Sequence, residues 1–308
     1  MNDIRDFAED CRSRGMTDHS IATYKCNITK FLEFVGDPLK VDTIILRNFL
    51  NYLRNDMIYK RGKVKKKGVC NQTLHAYFSA VASYFDYLLY TKQLSNNPVP
   101  PFRRRYLARN KKQFNGENSR QLITLEQVKQ LVNLKMPIQE KAILIILCKT
   151  GVRRGELLSM DLTDLNLKKG EIILKPKAKR TNRLVFFDEE AAQVLKAYLK
   201  WRAPLAKSGA LFIFPTGSRI HKDEPNRIIA KYGCKLGFHD PRGQLNTRAS
   251  PHCLRHFFTT ILRRNNMRRE FIQELRGDKR KETIDIYDHI DLSELREAYD
   301  KAVPKLFD

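Results

Sequence analysis

Long apolar runs are missing from this 308-residue chain. The longest, Ala142 to Cys148, falls far short of the about 20 residues a helix needs to cross a bilayer, so no membrane span is expected. Paired cysteines are missing too. The six thiols, Cys11, Cys26, Cys70, Cys148, Cys234 and Cys253, lie far apart with no Cys-x-x-Cys pair. No signal peptide directs them to an oxidising compartment, so reduced thiols in a soluble, cytoplasmic protein are expected. Neither an internal repeat nor a low-complexity block occurs. Acidic residues are the scarcest class relative to their counterparts: 34 Asp plus Glu face 58 Lys plus Arg, a formal net charge of +24. That excess is clustered, which sets it apart from a merely basic surface and points to a polyanionic partner, nucleic acid.

Such a length exceeds one typical domain of ~150 residues, so two domains are expected. Apolar residues recur at helical spacing in 4–14, 20–35, 43–54 and 71–90, as in Tyr24, Ile28, Phe31, Leu32 and Val35. The aromatic stripe Tyr77, Phe78, Tyr84, Phe85, Tyr87 and Tyr90 suits a core better than a base-stacking surface. Between helices runs Lys60-Arg61-Gly62-Lys63-Val64-Lys65-Lys66-Lys67-Gly68, read as a glycine-bracketed loop. Lys65, Lys66 and Lys67 there are candidates for phosphate contact. Asn97-Pro98-Val99-Pro100-Pro101 is expected to stop the helix and open a cationic linker at Arg103, Arg104 and Arg105 that follows a DNA backbone. The expected division is a helical DNA-binding domain over 1–102, a basic linker over 103–120, and a second domain over 121–308.

The second domain opens on a capping-box pattern, Thr124 with Gln127. An apolar helix over 138–149 ends at Gly151, suited to the left-handed position, and helical periodicity restarts at Arg154. Arg153 therefore falls in a tight connection between two helices. Residues 170–174 and 183–187 are the only convincing strands, a hairpin whose tip carries Lys175, Lys177, Lys179 and Arg180, with Arg183 on the returning strand. The fold class is mainly α with a small antiparallel sheet. Near the end, Asp291 and Glu294 open an amphipathic helix through Leu295, Tyr299 and Ala302.

Two segments carry chemistry. In Ser250-Pro251-His252-Cys253-Leu254-Arg255-His256, a serine cap and a first-turn proline place His252 and Arg255 in the opening turns of a helix. At spacing i, i+3 they share a face, and imidazole and guanidinium donors beside free backbone N–H groups suit a phosphate. A metal site is not expected, because the zinc-protease pattern needs Glu after the first His where this chain has Cys253, and no third ligand is evident. Shortly downstream lies Tyr287, a nucleophile that those cations can aim at.

Thr150-Gly151-Val152-Arg153-Arg154-Gly155-Glu156-Leu157, then His252-x-x-Arg255-His256, then Ile286-Tyr287, in this order, resemble the tyrosine recombinase family, which includes phage integrases and Xer-type recombinases. The resemblance covers nearly the whole chain. It implies a helical SAM-like core-binding domain plus a tyrosine-recombinase catalytic domain, and a site-specific recombinase that breaks and rejoins double-stranded DNA through a 3′-phosphotyrosine at Tyr287. Arg153 and Arg255 would grip the scissile phosphate. His252 would donate to it or manage the nucleophile's proton, and a hairpin lysine, Lys177 in preference to Lys179, would protonate the leaving 5′-oxygen. Arg180 and Arg183 would contact the backbone. No cofactor or metal is implied, and a tetramer on two duplexes, with the C-terminal helix exchanged between copies, is. The reaction would serve integration and excision of a mobile element or resolution of dimeric replicons.

One position departs from the family pattern. After Leu-Gly the family carries His or Trp nine residues before the tyrosine; Arg276-Gly277-Asp278 places an aspartate there. Three roles stay open for Asp278: orienting Arg255 or another cation, accepting a proton from Tyr287, or capping a helix. His289 would then supply an imidazole or be an exposed neighbour. Glu156 is expected to orient a cation as its ion-pair partner. The alternative to an active enzyme is a catalytically inactive, sequence-specific DNA-binding protein on the same fold.

Overall fold

The computed structural model describes residues 2–61, 64–107, 121–176, 181–278 and 290–307. The chain forms two compact units, Met1–Lys111 and Lys112–Asp308. Among the described residues no helix is long and apolar enough to cross a membrane.

The first unit contains helices α1 (Asn2–Ser13), α2 (Asp18–Val35) and α3 (Thr43–Asn51), strands β1 (Ile58–Arg61) and β2 (Val64–Lys67), and helices α4 (Asn71–Tyr90) and α5 (Val99–Tyr106). Side-chain oxygens start two of them: Thr17 accepts the Ser20 N–H at 3.3 Å, and Asp42 accepts that of Ile45 at 2.8 Å. The aromatic stripe of α4 is core: Tyr77, Phe78, Tyr84 and Phe85 are buried. Phe78 stacks on Phe102 of α5 with ring centroids 5.3 Å apart. Only Tyr90, 82% exposed, leaves that core altogether.

Two expectations for this unit are corrected. The cationic run after Met57 is strand at its described residues on both sides of 62 and 63. β1 and β2 pair antiparallel, with Ile58 opposite Lys67 and Tyr59 opposite Lys66. Lysine is a poor strand former, but the ribbon gains its backbone ladder, and Gly68 closes it at φ +73, where a Cβ would stand 2.1 Å from the Arg54 carbonyl oxygen. Nor do the prolines after Asn97 open an extended linker. Pro100 and Pro101 lie in the first turn of α5, where the N–H they lack has no intrahelical partner anyway, and Asn97 Oδ1 accepts the Val99 N–H at 2.9 Å. Residues 103–106 are therefore helical.

In the second unit, α6 (Leu125–Asn133), α7 (Ile138–Thr150) and α8 (Arg154–Ser159) precede strands β3 (Leu165–Asn166), β4 (Glu171–Ile173) and β5 (Leu184–Phe186). Helices α9 (Glu189–Arg202), α10 (Glu224–Lys235), α11 (Pro251–Arg264), α12 (Arg269–Arg276) and α13 (Leu292–Ala302) complete it. The Thr124–Gln127 capping box is present in both directions. The apolar run Ala142–Cys148 is fully buried because α7 is the central helix, packed by α9, α10 and α11. The expected hairpin gains a third strand: β3 pairs with β4 through Leu165 and Ile172, and β4 with β5 through Ile172 and Val185.

α13 packs on its own unit. Leu295 and Tyr299 are fully buried, and Tyr299 Oη donates to the Lys149 carbonyl at 3.0 Å. Asp291 starts this helix by accepting the N–H groups of Ser293 and Glu294 at 2.7 and 3.1 Å. Beneath it Lys149, with no exposed surface, donates to Asp188 Oδ2 and the Pro304 carbonyl, each at 2.6 Å, and to Glu190. Glu190 in turn accepts the N–H groups of Leu306 and Phe307 at 3.0 and 3.1 Å. A buried lysine is tolerable here because carboxylates and a carbonyl surround it, and the same carboxylates tie down the C-terminal tail.

Candidate active site

Three helix ends place the charged residues of the site. α7 terminates on Gly151 in the left-handed conformation, φ 58, and the chain turns through Val152 to Arg153. Glu156, buried on α8, accepts the Arg153 N–H at 2.7 Å through Oε2 and the Arg153 guanidinium at 3.0 Å through Oε1. One carboxylate thus caps the helix and orients the cation, the role expected for it. Arg255 comes from the second turn of α11, whose first residue is Pro251. Ser250 makes no side-chain cap, contrary to expectation; its Oγ stands 3.4 Å from Cys253 Sγ.

Asp278 is delivered by the end of α12. Gly277, at φ 60, donates to the Glu274 carbonyl at 2.8 Å, and the Asp278 N–H returns to Gln273 at 3.1 Å, a left-handed termination that satisfies the last carbonyls. The backbone of Asp278 does the capping, which frees its side chain. Its Oδ1 accepts Arg153 Nη2 at 2.9 Å and Arg255 Nη2 at 3.2 Å, and its Oδ2 pairs with Arg276 Nε at 2.8 Å. The side chain thus meets cations, as one of the three roles left open by the sequence requires; Tyr287, on which another depends, lies outside the described residues.

Arg255 is the buried member, 4% exposed. It donates Nη1 to the Gly151 carbonyl at 2.7 Å and Nη2 to the Arg276 carbonyl at 2.9 Å. Burial pushes its pKa down to about 10, helped by Arg153 and Arg276, while Asp278 and Glu156 act in the opposite direction. At neutral pH it remains a cation. Arg153 is more open, 38% exposed, with Nη1 also 3.4 Å from the Arg276 carbonyl. Three guanidiniums, Arg153, Arg255 and Arg276, thus meet the carboxylates of Glu156 and Asp278.

His252 lies one turn before Arg255 but does not share its buried face. It is exposed, its ring edge-on to His256 at 4.5 Å between centroids. Tyr287, His289, Lys177, Lys179 and Arg180 lie outside the described residues, but both arms of the hairpin that carries the lysines are fixed. Lys175 Nζ and Arg219 Nη2 pair with Asp161 at the outgoing arm, holding its carboxyl below the usual range. At the returning arm Asn182 Nδ2 donates to the Glu274 carbonyl at 3.2 Å, and the Thr181 N–H donates to the Gly277 carbonyl at 3.4 Å. The returning arm therefore lies against the end of α12. Arg183 braces it, Nε donating to the Leu174 carbonyl at 2.7 Å.

In the first unit Lys65, Lys66 and Lys67 are exposed along β2. Arg104 and Arg105 are exposed on α5, whereas Arg103 turns inward to donate to Ser79 Oγ at 3.0 Å. Sequence reasoning missed Arg276 and the hairpin anchors Asp161 and Arg219. The available signal for Arg276 was a cation two positions from the one anion that broke the family pattern.

Residues 121–294 match the profile of the phage integrase family. A tyrosine recombinase XerC from Thermodesulfovibrio yellowstonii is 31% identical over 304 residues, covering 94% of this chain and 92% of that one. Two solved structures share the fold. The integrase of transposon Tn1549 in complex with circular intermediate DNA superposes with a TM-score of 0.68 at 18% identity, covering 96% of this chain and 98% of that one. The XerH site-specific recombinase bound to its difH substrate, a pre-cleavage complex, gives 0.63 at 22%, covering 96% and 83%. The fold is thus that of the tyrosine recombinases. The chain belongs to the phage integrase family, and its class is that of site-specific DNA recombinases. Nothing in these likenesses supports the binding-only alternative.

Proposed function

We propose that this recombinase cuts and rejoins double-stranded DNA through a covalent bond at Tyr287, with Arg153 and Arg255 holding the scissile phosphate. The observation that carries the reading is the meeting of Arg153 and Arg255 on one oxygen, Asp278 Oδ1, at 2.9 and 3.2 Å. Two guanidiniums brought from separate helices to a single acceptor are arranged for a phosphodiester oxygen. As Tyr287 Oη bonds to phosphorus, negative charge builds on the non-bridging oxygens, and fixed cations stabilise that state more than the ground state.

The step conserves bonds. The tyrosine forms a phosphate ester, the bond from phosphorus to the 5′-oxygen breaks, and the leaving oxygen takes a proton from Lys177, or from Lys179. The phenol, with an ordinary pKa of about 10, gives up its own proton in the cationic field. His252 donates to the phosphate or receives that proton. Rejoining is the reverse, with the 5′-hydroxyl of a partner strand attacking phosphorus, so no external energy source is required.

The helical first unit is the proposed core-binding DNA-binding domain, with the cationic face of β2 and Arg104 and Arg105 on phosphates; Arg180 and Arg183 contact the backbone from the hairpin. Those contacts fix register and supply affinity without reading sequence. Four copies act on two duplexes, and α13 is the element exchanged between them, leaving the seat it occupies on its own unit. The reaction serves a mobile element or resolves replicon dimers. A nicked suicide duplex tests the chemistry: wild type accumulates a covalent protein–DNA adduct and Tyr287→Phe binds without one. Equal adduct from both would remove Tyr287 from the reaction.

A further inference from the structure

The ribbon of β1 and β2 stands apart from the core of the first unit. Its two strands form a sheet of their own, joined by no third strand among the described residues. Only the base is built in. Met57, just before β1, is 7% exposed, the Gly68 N–H donates to the Met57 carbonyl at 2.9 Å, and the Val69 N–H donates to that of Leu53 at 2.9 Å. Beyond this base Ile58 is 64% exposed, and Lys65, Lys66 and Lys67 are exposed as well. A two-stranded ribbon with no buried apolar face is marginal in water. The register adds a cost, because it sets Lys60 opposite Lys65, like charge against like. Lys67 Nζ pairs with Asp56 Oδ1 at 3.4 Å, but with side chains 66% and 63% exposed this pair is screened and offsets little.

The pleat decides what such a ribbon can meet. Successive residues of a strand point to opposite faces, and directly opposed residues of paired strands share a face. Lys65 and Lys67 therefore share one face with Ile58, and Lys66 lies on the other with Tyr59. Both faces carry exposed cations. A ribbon laid flat on one phosphate chain would use one face and turn the lysine charge of the other away from it. Standing on edge between two phosphate chains, it uses both. With side chains on its two faces a ribbon takes up roughly 10 Å, the spacing of packed sheets. The major groove of DNA, about 12 Å wide, admits that thickness, and the minor groove, about 6 Å wide, does not.

We propose that the ribbon stands on edge in the major groove of the DNA that the first unit binds, with Lys66 on the phosphates of one strand and Lys65 and Lys67 on those of the other. Phosphates on both sides relieve the repulsion between its lysines, so the ribbon is more stable on DNA than off it. This placement rests on the reading of the first unit as DNA-binding, and it adds the groove and the strand that each lysine meets.

The test is interference mapping with the full chain on a duplex selected for binding from a random pool, so that no cleavage step is needed. Ethylated phosphates report backbone contacts, and methylation at guanine N7 or adenine N3 reports the major or the minor groove. Wild type should show interference at phosphates of both strands flanking one major groove, and at guanine N7 placed within it. Lys66→Ala should erase phosphate signals on one strand only, and Lys65→Ala combined with Lys67→Ala those on the other. Each lysine removed should weaken binding about fivefold at about 0.15 M salt and lower the salt slope by about 1. Lys66→Arg, which keeps the charge, should keep the wild-type pattern, so that a loss in Lys66→Ala reads as lost charge and not as lost folding. Signals of all three lysines on the same strand, interference at adenine N3 in place of guanine N7, or variants that bind and map as wild type overturn the inference. Failure of the recombinase reading looks different: wild type then forms no covalent adduct, while the interference pattern remains. A wild type that retains no duplex from the pool defeats the DNA-binding reading itself, and the ribbon's placement with it.

Discussion

The carbonyl oxygen of Gly151 accepts Nη1 of Arg255 at 2.7 Å, so the residue that ends α7 also seats the buried cation of the site. Gly151 is held at φ +58, and a Cβ there would stand 2.3 Å from the ring of Phe258, three residues beyond Arg255 on α11. Gly151→Ala therefore meets backbone strain and a clash against the helix that carries Arg255. A loss of about 1–3 kcal/mol in unfolding free energy is expected by denaturant titration. Adduct formation should fall further than stability alone explains, because Arg255 loses its seat.

Removing Lys149 leaves Asp188, Glu190 and the Pro304 carbonyl without their buried cation. Lys149→Met should cost about 3–5 kcal/mol, read from chemical denaturation, since breaking a buried pair strands the opposite charge. Glu190 also ties that cluster to pH. Burial raises its pKa, but Lys149 and the N–H groups of Leu306 and Phe307 outweigh it and hold the carboxyl below its ordinary 4.5. A lowered carboxyl contributes stability that is present above pH 4.5 and lost as pH falls through the lower folded value. Glu190→Gln should flatten the acid side of the stability profile, measured by thermal unfolding from pH 7 to pH about 3. An unchanged slope would contradict it.

Thiol accessibility checks the seating of α11. Cys26, Cys70 and Cys234 are exposed, and Cys11, Cys148 and Cys253 are buried. Burial pushes the Cys148 thiol up to about 12, so it supplies almost no thiolate at neutral pH. Brief iodoacetamide treatment of the native chain, read by peptide mass spectrometry, should modify Cys26, Cys70 and Cys234 and spare the others. Labelling of Cys253, which lies between His252 and Arg255, would mean that α11 is not seated as described.

How far the sequence reached depended on the range of the interaction. Local signals were legible: the Thr124–Gln127 box, Gly151 after α7, the period of α4 and the buried run of α7 are short-range steric and hydrogen-bonding preferences written in adjacent residues. Arg153, Glu156 and Arg255 were legible through their motifs. The ribbon of β1 and β2 was not, because its lysines argue against a strand and only the backbone ladder with Gly68 forms it. The helix at 99–106 was hidden by prolines that happen to fall in a first turn. Lys149 was illegible for another reason: its partners Asp188, Glu190 and Pro304 lie more than a dozen residues away, and no local pattern marks a charge that balances others across the fold.

The most direct measurement of the central claim is to trap the wild-type chain on a nicked suicide duplex, digest the adduct with protease and nuclease, and sequence the modified peptide by tandem mass spectrometry. The account predicts a 3′-phosphotyrosyl linkage at Tyr287, and its loss when Arg153 or Arg255 is replaced by alanine. A linkage on any other residue, or cleavage that leaves a free 3′ end, would contradict it.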